Sequence, residues 1–347
     1  MSLSNPSQLL LRNEDLLQGN DILVVGCPDP VLFSNLQAIN TQAKISSFQT
    51  NYAQHQAISA NNPLIQCQFS EQYQASDKHD LVIVYFPKSK QEFLFLMAML
   101  ATVISKQACI LFVGENKGGV KSAKKLTSDY ALRCDKVDSA RHCILYEMIA
   151  NDHAPEFNLD DWWQSYDINI DNIELSVAAL PGVFSSKELD VGTKLLLENL
   201  PAQLSGKVLD FGCGAGVIGS FIKSLYPKTS ISMLDVNALA IASARKTLQL
   251  NNLEADVFAS DGLSKVSGKY QAVLSNPPFH QGIKTNYQTT EQFLQDIKKY
   301  LNKSASVTIV ANSFLKYAPI INEHIGQSKL LVNAKGFAIH HCIYKGK

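Results

Sequence analysis

Four short apolar segments of this chain occur twice, in the same order. Asp21-Ile-Leu-Val-Val-Gly-Cys27 parallels Lys207-Val-Leu-Asp-Phe-Gly-Cys213, and Leu81-Val-Ile-Val-Tyr-Phe-Pro87 parallels Ala272-Val-Leu-Ser-Asn-Pro277. Ala108-Cys-Ile-Leu-Phe-Val113 parallels Ala305-Ser-Val-Thr-Ile-Val310, and His142-Cys-Ile-Leu-Tyr146 parallels His341-Cys-Ile-Tyr344. Each pair is offset by roughly 190 residues, the mark of an internal duplication. A chain of 347 residues has room for two such copies, each with its own core. The predicted division is a first domain over 1–155, a linker over 156–172 where Asp, Asn, Pro and Trp collect, and a second domain over 173–347.

Within the second copy, strand-like segments at Lys207–Phe211, Ser230–Val236, Ala255–Ala259, Tyr270–Ser275 and Ala305–Ala311 alternate with helical ones at Ser220–Tyr226, Ala238–Leu250 and Gln288–Asn302. That alternation predicts an α/β fold around a mostly parallel, doubly wound sheet. Lys329–Val332 and Phe337–Tyr344 form the expected antiparallel closing pair. The longest apolar run, Phe93–Ile104, is too short to span a bilayer, and Met1-Ser-Leu-Ser-Asn5 has no basic lead into an apolar stretch. The seven cysteines include no Cys-x-x-Cys pair, which argues against a disulfide framework and against a zinc site. A reduced, cytoplasmic protein without membrane or metal is expected. Residues 1–170 hold 13 Lys+Arg against 18 Asp+Glu, and residues 171–347 hold 18 against 13, so an anionic partner is drawn to the second half.

Asp210-Phe-Gly-Cys-Gly-Ala-Gly216 stands where a strand gives way to a helix. Gly212, Gly214 and Gly216 permit a tight turn and let a ligand lie against the backbone. A carboxylate at Asp210 would repel nucleotide phosphates. It suits S-adenosylmethionine (SAM), which has no phosphate and carries a cationic sulfonium and an α-amino group. Asp235 ends the next strand, where a carboxylate can accept hydrogen bonds from ribose hydroxyls. Asp261 follows the third strand, where it or a nearby backbone group can address the adenine amine. Any one of these acids is ordinarily a solvated strand end. Together they line the edge at which open α/β sheets bind ligands.

Ser275-Asn276-Pro277-Pro278-Phe279 follows the fourth strand. An amine on an aromatic ring is a poor nucleophile because its lone pair is delocalised. Acceptors at the Asn276 side chain and the Pro277 carbonyl can take its two N–H groups and turn the lone pair toward a methyl donor. Proline restricts the local backbone, and Phe279 can stack on the ring. His280, Lys284 and Asn286 follow closely enough to meet phosphate or a base edge; a solvated loop is the plain alternative. A base held this way must be single-stranded or flipped out. Guanine N2, adenine N6 and a glutamine amide all fit the motif.

These motifs resemble the amine-directed class I methyltransferases. Leu180-Pro-Gly-Val-Phe-Ser185, Leu189-Asp-Val-Gly-Thr193 and Gly114-Glu-Asn-Lys-Gly-Gly119 narrow the resemblance, across nearly the whole chain, to the ribosomal RNA small subunit methyltransferase C family. It implies two tandem class I (Rossmann-like) domains and methyl transfer from SAM, leaving S-adenosylhomocysteine, to a guanine N2 in 16S rRNA. Carried over by position, Gly212, Gly214, Asp235 and Asp261 are cofactor residues, joining Asp210 and Gly216 from the reading of the turn, with Phe184, Asp190 and Thr193 in a segment packing over the cofactor. Asn276, Pro277 and Phe279 form the catalytic motif, with Phe279, His280 and Lys284 toward the substrate. The expected partner is 16S rRNA or the small ribosomal subunit, met by a monomer.

The first copy departs from this pattern. It has Gly26-Cys-Pro-Asp-Pro30 for the glycine loop and Tyr85-Phe-Pro-Lys88 for the amine motif, so it is expected to be catalytically dead. RNA recognition, to which Lys117, Lys121, Lys124 and Lys125 could contribute, or a stabilising role remains for it. Two other readings stay open: the same chemistry on large-subunit RNA or another planar amine, and a non-enzymatic RNA-binding assembly factor.

Overall fold

The computed structural model describes residues 3–75, 77–152, 156–201, 203–277 and 284–346, with backbone alone for 284–287. The chain divides into two compact units, Met1–Trp162 and Trp163–Lys347. Among the described residues, the first unit contains β1 (Asp21–Val25), β2 (Lys44–Gln49), β3 (Gln66–Phe69), β4 (His79–Tyr85), β5 (Ile104–Glu115), β6 (Ala131–Ala140) and β7 (Cys143–Ala150). Its helices are α1 (Asn5–Leu11), α2 (Val31–Ile39), α3 (Tyr52–Asn61), α4 (Lys90–Leu100) and α5 (Ala123–Leu126). The second unit opens with a hairpin, β8 (Gln164–Ile170) and β9 (Ile173–Ala179), followed by α6 (Val191–Leu197). Its sheet comprises β10 (Lys207–Phe211), β11 (Ser230–Asp235), β12 (Asp256–Ala259), β13 (Tyr270–Ser275), β14 (Leu301–Asn312), β15 (Lys329–Ala334) and β16 (Phe337–Ile343). Between them run α7 (Val217–Leu225), α8 (Ala238–Leu250), α9 (Lys284–Asp296) and α10 (Tyr317–His324).

The two sheets have one topology. The first orders its strands β3-β2-β1-β4-β5-β7-β6 and the second β12-β11-β10-β13-β14-β16-β15. Five strands in each are parallel, and the sixth and seventh positions close the sheet antiparallel. The central strand β10 is buried from Val208 to Phe211, the near-continuous apolar pattern of a strand covered on both faces. The apolar run at Phe93–Ile104 is explained by α4, a core helix that buries Phe93, Phe95, Leu96, Met97, Met99 and Leu100.

Part of the stretch expected as linker is ordered as strand. The units divide at Trp162/Trp163, and 164–170 is the first half of the β8–β9 hairpin. Its turn is Asp171-Asn172, with φ of 49° and 63°, the left-handed pair that two-residue hairpin turns require. The free edge of β9 is satisfied by α8. The N–H groups of Ser176, Ala178 and Leu180 donate to Asn251 Oδ1 (2.9 Å), Thr247 Oγ1 (3.1 Å) and Ser243 Oγ (3.0 Å). Two strand residues advance about 6.6 Å and four helix residues about 6 Å, so the two repeats stay in step.

Candidate active site

The second sheet reverses its strand order between β10 and β13, and open α/β sheets form their ligand crevice at the strand C-termini beside such a reversal. Asp210, Asp235, the 260–262 turn and Asn276 all lie at that edge, because each ends or follows a parallel strand.

Asp210 is fully buried. Its Oδ2 accepts the Gly219 N–H at 2.9 Å, while Oδ1 has no partner among the described residues. Burial pushes this carboxyl up to about 7; the Gly219 bond opposes the rise and the Asp235 charge adds to it. The turn after it is held by Gly212 and Cys213, whose N–H groups both donate to the Leu234 carbonyl at 2.9 Å. Gly214 N–H donates to Asp235 Oδ2 (3.0 Å), and Asn237 N–H to Asp235 Oδ1 (3.0 Å). Asp235 is half-buried, and desolvation raises its pKa despite those bonds.

The three glycines of the turn differ. Gly212 (φ 70°) and Gly214 (φ 53°) face open space among the described residues, with no atom beyond their chain neighbours within 4 Å of where a Cβ would stand. At Gly216 (φ 77°) a Cβ would stand 2.9 Å from Ala244 Cα, so this glycine brings α7 against α8 instead of opening room for a ligand. Asp261 is exposed, two residues past the end of β12, and the neighbouring Ser260 N–H donates to the Asp235 carbonyl at 3.0 Å. Gly262 (φ 53°) adds a further open position there.

Asn276 is half-buried at the end of β13. Its Nδ2 donates to Asp190 Oδ2 (3.0 Å) and to Thr193 Oγ1 (2.8 Å). Thr193, expected among the cofactor residues, is thus bonded to the amine motif. Pro277 is buried. Phe279 and His280 lie outside the described residues, and Lys284 is described by its backbone alone, as the first residue of α9. Phe184 is 56% exposed in the turn before α6. Sequence reasoning placed Ser275 in the amine motif without a role; its buried hydroxyl donates to the Phe211 carbonyl at 2.7 Å and ties the ends of β13 and β10 together. A polar residue ending an otherwise apolar strand was its only signal.

The equivalent edge of the first unit is built differently. By strand register Val24 stands for Asp210, Gln49 for Asp235 and Tyr85 for Asn276. The turn starts alike, with Gly26 N–H donating to the Phe48 carbonyl at 3.0 Å. Beyond it, Ser4 and Ser7 bond Asp29, Ser7 also bonds the Tyr85 hydroxyl, and burial pushes the Cys27 thiol up to about 12. Of the lysines noted there, Lys124 pairs with Asp135 at 2.9 Å on the surface.

Residues 174–341 match the family model "Methyltransferase small domain", and residues 7–166 match "Methyltransferase small domain N-terminal". A protein of Colwellia psychrerythraea named ribosomal RNA small subunit methyltransferase C is 48% identical, with 98% of both chains covered. A protein of the same name from Pseudoalteromonas translucida is 41% identical over 97% of this chain and 98% of its own. The chain belongs to the ribosomal RNA small subunit methyltransferase C family. Its fold is also that of a T. thermophilus 16S rRNA N2 methyltransferase solved with AdoMet and guanosine, at a TM-score of 0.83 and 21% identity over 95% of this chain and 91% of that one. Among the described residues, no helix is long and apolar enough to cross a membrane.

Proposed function

We propose that this chain transfers a methyl group from SAM to the exocyclic N2 of a guanine in 16S rRNA. The observation that carries the reading is the Asn276 amide. Both of its Nδ2 bonds go to Asp190 and Thr193, so the polar atom it has left to offer a substrate is the acceptor Oδ1.

The residues at the sheet edge fit SAM. Gly212 and Gly214 leave open space over the turn, the unpartnered Asp210 Oδ1 calls for a donor or a cation, and Asp235 can take ribose hydroxyls. In this reading the exposed Asp261 meets the adenine amine, and Gly216 acts by packing. When bound, SAM supplies an electrophilic methyl on its sulfonium. The chain's own residues hold the nucleophile. Asn276 Oδ1 and the Pro277 carbonyl take the two N–H groups of guanine N2, which draws the nitrogen lone pair out of conjugation. This is positioning and electrostatics, without an activated side-chain nucleophile. The exocyclic nitrogen becomes cationic and acidic as its lone pair bonds to the methyl, so one of its protons is lost to solvent without a dedicated base. Phe279 stacks on the base, and His280 and Lys284 meet its edge or the neighbouring phosphate. The base enters unpaired, from a loop or flipped out.

The family name favours RNA of the small subunit, and the guanosine in the T. thermophilus protein favours guanine over adenine. The second domain holds a whole constellation by itself, so a monomer suffices, working in the cytoplasm where ribosomal RNA is assembled. The first domain, without the acids and the amide, serves RNA recognition or stability. Asn276→Ala is the direct test. It should lower methyl transfer to small-subunit RNA by about a hundredfold or more, the scale of a lost oriented acceptor, with SAM affinity unchanged in calorimetry. Full activity in that variant would refute the mechanism.

A further inference from the structure

We propose that Asp190 and Thr193 are positioning residues that fix which end of the Asn276 amide faces the substrate; this rests on the reading of Asn276 as acceptor for the target amine. An asparagine side chain has nearly the same shape after a half-turn about its last torsion, but the turn exchanges an acceptor for two donors. A flipped Asn276 would present N–H groups to the N–H groups of the target amine, and the site would repel its substrate.

The surroundings of Nδ2 forbid the flip. Asp190 Oδ2, at 3.0 Å, is an acceptor of a charged group, and a flipped amide would set oxygen against it. Thr193 Oγ1, at 2.8 Å, takes the second N–H. Asp190 is itself held. It is the N-cap of α6, with φ −62° and ψ 142°, and its Oδ2 also accepts the Thr193 N–H at 2.9 Å. One carboxylate oxygen therefore starts the helix and orients the amide. Gly192, between the two, leaves no room for adjustment. A Cβ there would stand 2.8 Å from the Phe337 ring and 3.0 Å from Asp190 Oδ2, so the first turn of α6 is clamped against β16. Thr193 is only 6% exposed, so water does not compete freely for the bond. The ionic bond to Nδ2 also draws electron density toward Oδ1 and makes it a stronger acceptor.

The test has two arms on the full-length protein. The first follows the Asn276 side-chain amide by NMR after selective ¹⁵N labelling, with Asn276→Ala giving the assignment. Both amide protons should be protected from exchange with water in the wild type, and Thr193→Val should expose one of them. The second measures methyl transfer to small-subunit RNA. Thr193→Val and Asp190→Asn should lower kcat about tenfold to a hundredfold, with the KM for RNA and the SAM affinity held within about twofold. Thr193→Ser, which keeps the hydroxyl, should restore kcat to within about threefold of wild type. Freely exchanging amide protons in the wild type, or equal losses for Thr193→Ser and Thr193→Val, would overturn the proposal. Protected amide protons in a wild type that methylates no RNA would instead refute the proposed function and leave the lock standing.

Discussion

Asp210 is a fully buried acid with one oxygen satisfied and one not. Its pKa rises from 3.8 to about 7, so between those values the folded protein holds a proton that the unfolded chain has released. Stability must then fall as pH rises through that window, by up to about 1.4 kcal/mol per pH unit from this group. Asp235, also raised by burial, acts in the same direction. Urea unfolding of the SAM-free protein should therefore give higher stability at about pH 5.5 than at about pH 7, and Asp210→Asn should flatten the slope. An unchanged slope in the variant would place the titration elsewhere. A bound cation favours the ionised acids, so SAM affinity should rise from about pH 6 to about pH 8. The acids and the glycine turn were legible as residue types at the right strand ends. The separate role of Gly216 was not, because its constraint comes from Ala244, a residue on another helix.

Among the elements, the β9–α8 contact carries the most polar detail. Ser243, Thr247 and Asn251 recur every four residues on a helix whose other buried positions are mostly apolar. Thr247 is fully buried, donates to the Ala178 carbonyl (3.2 Å) and accepts its N–H (3.1 Å). Thr247→Val should leave that buried peptide group unpaired and lower the unfolding free energy by about 1–3 kcal/mol in denaturant titration. A loss below about 0.5 kcal/mol would mean the ladder is not what seats the hairpin. The strands of the main sheet were readable as buried apolar runs. The hairpin was not, because the Asp, Asn and Trp residues before and within it resemble a linker, although Ile168 and Ile170 alternate with polar residues up to an Asp-Asn turn. The helix expected over Gln288–Asn302 starts earlier, at Lys284, and ends at Asp296, with Leu301 and Asn302 joining β14. Tyr270 pairs with Leu301, and that long-range contact outweighs helical periodicity.

The whole molecule is one fold used twice with different side chains. Where β1 and β4 meet at their starts, Asp21 bonds His79 at 2.6 Å; at the matching place Lys207 lies over the Tyr270 ring at 5.5 Å. The same substitution of chemistry on a kept frame removes the crevice acids and the amide from the first copy. One SAM per chain is the expected stoichiometry in calorimetry, and Pro28→Gly with Pro30→Gly should not raise it, since Val24, Gln49 and Tyr85 remain. Two sites in that variant would refute the account of the first copy. The duplication itself was legible from the repeated strands; the identity of the methylated base was legible only through the whole-chain resemblance and not from the motif, because any planar amine satisfies an asparagine oxygen and a proline carbonyl. The deciding measurement is transfer of labelled methyl from SAM to small- and large-subunit RNA and particles, followed by nucleoside identification. The account predicts N2-methylguanosine in small-subunit RNA. Label in another nucleoside, in large-subunit RNA, in protein, or in nothing would contradict it.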